Sequence, residues 1–290
     1  MEPMEPMEPM EIDTIGRHAN GREKRPCCRL VALVLLCLVL PACAHHPAAR
    51  KVDIGGFRLL VRCAGQGHPT VLMDSGLGDT LESWSEVFPQ VQVFTTVCVY
   101  DRAGLGGSDP GPTPRTSQRI VDELHALITN AHIDGPFILV GHSFGGLNIR
   151  LFAREHPAEA VGMVLVEATH EDYPAKEKTA RPIAETRKLE NSFGLATPAA
   201  QSEFKSLSQS AEEVRTSPPL PDIPLIVITA GRRGEAEPLR QIWMDLQRDL
   251  VTKAPNARQV LAEHSGHYVQ FDEPEVIVSA IHELVESGRR

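Results

Sequence analysis

Phe137-Ile-Leu-Val-Gly-His-Ser-Phe-Gly-Gly146 decides how the rest of the chain is read. The apolar run Phe137 to Val140 reads as a buried strand, and Leu147 to His156 reads as an amphipathic helix. Between them lies Gly141-His142-Ser143-Phe144-Gly145, a G-x-S-x-G turn. A strand that turns straight into a helix strains the turn residue and crowds neighbouring backbones; flanking glycines relieve those contacts. The turn holds the Ser143 hydroxyl out at the end of a sheet, beside the positive end of a helix. The pentapeptide alone is a weak signal. Set between an apolar run and an amphipathic helix, it marks Ser143 as a nucleophile. The alternative is a serine in a tight turn with no chemistry.

Outward from this turn, apolar runs alternate with helical patterns. Lys51–Ile54 and Phe57–Arg62 flank Gly55-Gly56 and read as a hairpin. Thr70–Met73, Thr95–Tyr100, Val161–Val166, Pro224–Thr229 and a short run at Arg258–Leu261 read as further strands. Leu81–Val91, Thr116–Ala131, Pro238–Val251 and a segment opening at Pro274 read as helices. Continuously apolar strands alternating with helices mean an α/β architecture, a mostly parallel sheet covered on both faces. From about residue 168 to 222 the alternation stops. That stretch is polar, helix-prone and rich in Lys, Glu, Ser and Pro, and it reads as an inserted helical lid. Reactive groups gather at the carboxyl ends of such strands. Ser143, the Gly76 loop, Glu167 and the Gly231 loop all fall there, and His267 follows the last strand.

A length of 290 residues allows one large domain or at most two small ones, and the pattern reads as one domain, residues 50–290, behind a leader of residues 1–44. The net charge of -9 argues against a nucleic-acid partner. The leader opens on a Met-Glu-Pro repeat of low complexity that reads as disordered. A basic patch (Arg17, Arg22, Lys24, Arg25, Arg29) precedes the apolar run Leu30–Leu40 and the small residues Ala42-Cys43-Ala44, the pattern of an export signal. The apolar run is shorter than the roughly 20 residues of a spanning helix. Leu40-Pro41-Ala42-Cys43 resembles a bacterial lipoprotein box, which would lipidate Cys43 and tether the protein to a membrane. Ala42-Cys43-Ala44 also fits a cleavage site that releases the chain near His45, into the periplasm or the medium. An uncleaved anchor is a third reading. Export leaves Cys63 and Cys98 in the mature domain, where an oxidising compartment permits a bridge. Two small buried hydrophobes are the other reading.

Three motifs together carry a resemblance: the elbow at Ser143, the segment Tyr100-Asp-Arg-Ala-Gly-Leu-Gly-Gly-Ser-Asp109, and Ser265-Gly266-His267. From about Val52 to its end the chain resembles the α/β-hydrolase fold family, closest to its lid-bearing, esterase-like serine hydrolases. The resemblance implies a triad in the order Ser, acid, His, with His267 as base and His264 its nearby competitor. The usual place for the acid is the loop after Pro224–Thr229, where Glu235 fits by spacing. The second place is the end of Val161–Val166, where Glu167 stands. A Glu directly after a buried strand is costly without a partner, and a protonated imidazole would be one. Glu167 is therefore preferred to Glu235, with Glu171 and Asp172 behind. The oxyanion hole needs backbone donors. One is expected from Phe144. The other, by resemblance to the family's His-Gly-x-Gly loop, is expected from Leu77, with Ser75 standing where His is common.

Several residues carry less. Asp74 has no role legible in the sequence, Asp101 reads as a loop-fixing residue, and His142 as a packing residue. His45-His46 is too short for a metal site. Neither metal-ligand spacing nor a phosphate loop is present, so no metal and no cofactor is expected. The expected reaction is hydrolysis of a small-molecule carboxylic ester through an acyl-enzyme. Haloalkane dehalogenases and epoxide hydrolases of this fold place Asp at the nucleophile position, so Ser143 points to acyl chemistry. Acyl transfer, amide cleavage or C–C hydrolysis on the same triad stays open, as does a non-catalytic, ligand-binding member.

Overall fold

A computed structural model describes residues 48–289, apart from positions 195 and 235. The leader, with Cys43 and His45-His46, lies outside the described residues, and so does Glu235. Among the described residues no helix is long and apolar enough to cross a membrane.

The strands are β1 (Arg50–Asp53), β2 (Arg58–Ala64), β3 (Thr70–Asp74), β4 (Val97–Tyr100), β5 (Phe137–His142), β6 (Ala160–Val166), β7 (Leu225–Ala230) and β8 (Ala257–Ala262). They form one sheet in the order β1-β2-β4-β3-β5-β6-β7-β8. β1 and β2 pair antiparallel, β2 runs antiparallel to β4, and the rest of the sheet is parallel. The helices are α1 (Phe88–Val91), α2 (Ser117–Ala131), α3 (Gly145–Glu155), α4 (Tyr173–Ala180), α5 (Ile183–Gly194), α6 (Pro198–Thr216), α7 (Leu239–Val251), α8 (Val269–Asp272) and α9 (Pro274–Gly288).

The continuous apolar runs exist because the sheet is buried on both sides. In β5, Phe137 and Leu139 join one core with Ile120 and Leu124 of α2 and Leu147 and Leu151 of α3. Ile138 and Val140 point the other way, into a second core with Ile277, Ile281 and Leu284 of α9.

One expected helix is corrected. Leu81–Val91 divides into a 3₁₀ turn, Leu81–Trp84, and the short α1. Pro89 lies in the first turn of α1. It has no N–H to give, and its ring would clash with the carbonyl four residues back in a continuous helix.

Cys63 and Cys98 face each other across the antiparallel β2–β4 pair and are joined by a disulfide. The stretch expected to be a lid carries α4, α5 and α6, inserted between β6 and β7.

Candidate active site

Ser143 sits between β5 and α3 with φ 51°. A left-handed backbone is costly for a residue with a Cβ, roughly 1–3 kcal/mol, and persists only where the surroundings enforce it. Here the Ser143 N–H donates to the Val166 carbonyl (3.1 Å), while the Ser143 carbonyl accepts from the N–H groups of Gly146 (3.0 Å) and Thr169 (2.9 Å). A Cβ on Gly145 would lie 2.4 Å from the Asp74 carbonyl oxygen, so only glycine lets α3 enter this close to β3.

His267 Nε2 lies 3.0 Å from Ser143 Oγ, and His267 Nδ1 lies 3.2 Å from Glu167 Oε2. Nδ1 also lies 3.1 Å from Arg233 Nη1; in the tautomer whose Nδ1–H donates to Glu167, Nε2 is free to accept from the Ser143 hydroxyl. Glu167 follows β6 directly, is fully buried, and has φ 45°. Its Oε1 accepts from the Ala230 N–H (2.7 Å) and the Trp243 indole N–H (3.2 Å). Its Oε2 also accepts from the Arg233 guanidinium. Arg233 stacks over the Trp243 ring at 3.9 Å. Arg233 and Trp243, neither singled out from the sequence, thus hold the carboxylate that faces His267.

Among the other candidates, His264 Nδ1 bonds Arg232 (2.9 Å), and His264 is not among the residues lining the cavity over Ser143. Glu171 pairs with Arg150 (2.5 Å) and Asp172 with Arg215 (3.0 Å). Burial raises the Glu171 carboxyl, but Arg150 and then His170 outweigh it and hold the group below its ordinary value. The Asp101 carboxylate accepts from the Leu81 and Gly107 N–H groups, both at 2.7 Å, fixing its loop as expected.

His142 does more than fill space. Its Nε2–H donates to the His267 carbonyl (2.9 Å), and Nδ1 accepts from the Gln270 amide (3.3 Å). The ring therefore braces the loop that carries the base. Burial, and then the facing His267, push the His142 imidazole well below its ordinary value, consistent with a neutral ring making both bonds.

Asp74 also gains a role. It pairs with Arg102 (2.6 Å) and accepts from Tyr100 (3.0 Å) and Asn148 (2.9 Å), all buried. Burial raises its carboxyl above the ordinary value despite these partners.

A cavity of about 320 Å³ opens over Ser143. Leu77 and Phe144, the expected oxyanion donors, both line it. Among the described residues neither backbone N–H is used by a protein acceptor. The inserted helices add Phe193 stacked on Phe204 (4.3 Å), and Tyr173, whose hydroxyl donates to Glu177 (3.1 Å). Asp79 lines the wall too, and burial lifts its carboxyl above the ordinary value.

At the other end of α3 from Ser143, His125 Nε2 lies 3.2 Å and His156 Nδ1 3.6 Å from Glu159 Oε1, with the two rings stacked at 4.1 Å. These groups place three metal-ligating atoms within 4.8 Å of one another. Sequence spacing gave no sign of this group, because α2 brings in a residue 31 positions from His156.

Comparisons with known proteins agree with the fold. Residues 69–191 match the family model for the alpha/beta hydrolase fold. An uncharacterized protein of Bacillus subtilis, YqjL, is 25% identical over 245 residues, covering 84% of this chain and 89% of the relative. A serine hydrolase involved in carbazole degradation superposes with a TM-score of 0.60 at 18% identity, over 82% of this chain and 98% of that one. A putative lipase from Acinetobacter baumannii AYE superposes with a TM-score of 0.60 at 17% identity, over 83% of this chain and 92% of that one. The chain has the α/β-hydrolase fold, and its residues 69–191 are those the family model matches.

Proposed function

We propose that this hydrolase cleaves a carboxylic ester of a small molecule through an acyl-enzyme. The observation that carries the reading is the unbroken series Ser143 Oγ, His267 Nε2 (3.0 Å), His267 Nδ1, Glu167 Oε2 (3.2 Å), opening onto a cavity. Ser143 Oγ attacks the ester carbonyl as its proton passes to His267 Nε2. Glu167 stabilises the imidazolium, and the Leu77 and Phe144 N–H groups receive the developing oxyanion. The imidazolium then returns its proton to the leaving alcohol. Water, deprotonated by the same nitrogen, releases the acid and restores Ser143.

A serine hydrolase and a putative lipase among the structural neighbours are of the same class. The Phe193–Phe204 wall and the cavity volume favour a modest apolar acyl or alcohol group. The signal-like leader and the Cys63–Cys98 bridge support an exported protein.

The test is turnover of p-nitrophenyl esters of increasing chain length by the domain from His45. Wild type is expected to favour the shorter chains, and Ser143→Ala to lose turnover. Equal turnover by the two proteins would refute the assignment.

A further inference from the structure

The inserted helices are not all alike. α5 begins at Ile183, which is 73% exposed. The third helix, α6, is built into the frame of the domain. Its Glu203 is fully buried, and its Ser202, Ser210 and Glu213 side chains accept from the backbone N–H groups of Arg115 (3.0 Å), Ser117 (2.9 Å) and Gln118 (2.8 Å) at the start of α2.

Glu203 reaches the loop that carries the expected oxyanion donor. Its Oε2 accepts from the Gly78 N–H (2.9 Å), and its two oxygens accept from Arg102 Nε (2.7 Å) and Nη2 (3.0 Å). Arg102, 2% exposed, donates in turn to the Ser75 carbonyl (2.8 Å) and the Gly76 carbonyl (2.6 Å). Asp74 takes its remaining charge contact. The Gly76–Leu77 peptide is planar and trans, so its C=O and N–H point in opposite directions. A Gly76 carbonyl held on Arg102 therefore aims the Leu77 N–H away from Arg102, on the side where Leu77 lines the cavity. Without Glu203, the buried guanidinium loses the bidentate partner that fixes its plane.

From this geometry we infer that Glu203 of the insertion, acting through Arg102, is a positioning residue that aims the Leu77 N–H of the oxyanion hole. α6 is then part of the catalytic frame. The inference rests on the acyl-transfer reading of Ser143. It also accounts for two glycines. A Cβ on Gly78 would lie 3.0 Å from Ala200 Cβ, and one on Gly104 2.7 Å from Ala199 Cβ. Both positions have positive φ, so the two loops meet α6 backbone to side chain with no room between.

The test compares Glu203→Gln with two other variants. Ser202→Ala loses a bond from the same helix to α2 but leaves the oxyanion loop alone. Ala200→Val keeps every charge and pushes α6 off Gly78. The first readout is the rate at which a fluorophosphonate labels Ser143, which needs no known substrate. The second is kcat and KM on the best p-nitrophenyl ester, beside the melting temperature of each protein. Losing one oxyanion donor costs about 10²- to 10³-fold in kcat, so misaiming it should slow labelling and kcat by at least about 30-fold. KM should stay within about 3-fold in both Glu203→Gln and Ala200→Val. Ser202→Ala should label at close to the wild-type rate. Labelling of Glu203→Gln or Ala200→Val within about 3-fold of wild type would overturn the inference. So would a loss matched by Ser202→Ala at equal melting temperature. A wild-type protein that is not labelled at all would instead overturn the acyl-transfer reading on which the inference rests.

Discussion

The His267 imidazole meets the Glu167 carboxylate at 3.2 Å, although the two residues stand 100 positions apart and follow different strands. The contact exists because β6 and β7 are neighbours and β8 follows β7, so the residues after β6 and β8 converge at one end of the sheet. Glu167 is fully buried there, and a buried carboxylate is tolerated only with donors around it. His267, Arg233, Trp243 and the Ala230 N–H supply them.

Glu167→Gln is expected to lower kcat about 10³-fold, because the amide no longer holds the Nδ1–H tautomer or offsets the imidazolium. Steady-state kinetics beside Glu235→Gln decide the point. An active Glu167→Gln with an inactive Glu235→Gln would move the acid to the loop after β7.

Acid should loosen the loop that carries the base. His142 is held well below its ordinary value of 6.5, by burial first. A depressed folded pKa means the neutral form is favoured in the native state. Its stabilising contribution is therefore whole above about pH 6.5 and is lost as the pH falls from there toward the depressed folded value. The loss is at most about 1.4 kcal/mol per pH unit for one group. Urea midpoints at pH 7.5, 6.5 and 5.5 for wild type and His142→Gln measure it. The variant should show the shallower fall. His156 and His170 are also depressed, again by burial first, and titrate in both proteins, so their contribution cancels in the difference.

The Cys63–Cys98 bridge closes a loop across 35 positions, for which chain entropy gives a stabilisation of roughly 2–4 kcal/mol. The Cys63→Ala, Cys98→Ala pair is expected to melt about 5–10 °C lower than wild type. Its kcat should stay within about 2-fold, since neither sulfur touches the site. A melting temperature that a reductant leaves unchanged in wild type would contradict this.

What was legible in the sequence was what chain-local chemistry determines. The strands were visible because two-sided burial leaves no polar position in Phe137–Val140 or Leu225–Ile228. Ser143 was visible because the strand–turn–helix needs its glycines, and His267 because its loop follows the last strand of an alternating pattern. Glu167 was preferred by a burial argument that asked for an imidazole partner, and the structure puts His267 beside it together with Arg233, Trp243 and the Ala230 N–H. Pro89 carried a local warning against one helix over Leu81–Val91 that apolar periodicity outweighed. The remaining features are products of topology. Arg233 and Trp243 come to Glu167 from 66 and 76 positions away, and Glu203 comes to Arg102 from 101. Nothing in the spacing of these residues marks them as partners. Asp74 lacked an explanation for the same reason, since its partner Arg102 lies in the loop after β4, the strand beside β3.

The most direct measurement is intact-mass analysis, followed by peptide mapping, after exposure of the domain to a fluorophosphonate. The account predicts a single adduct on Ser143, formed rapidly in wild type, absent in Ser143→Ala and strongly slowed in His267→Ala. No adduct on wild type, or labelling that persists unchanged in Ser143→Ala, would contradict the assignment of Ser143 as an activated nucleophile.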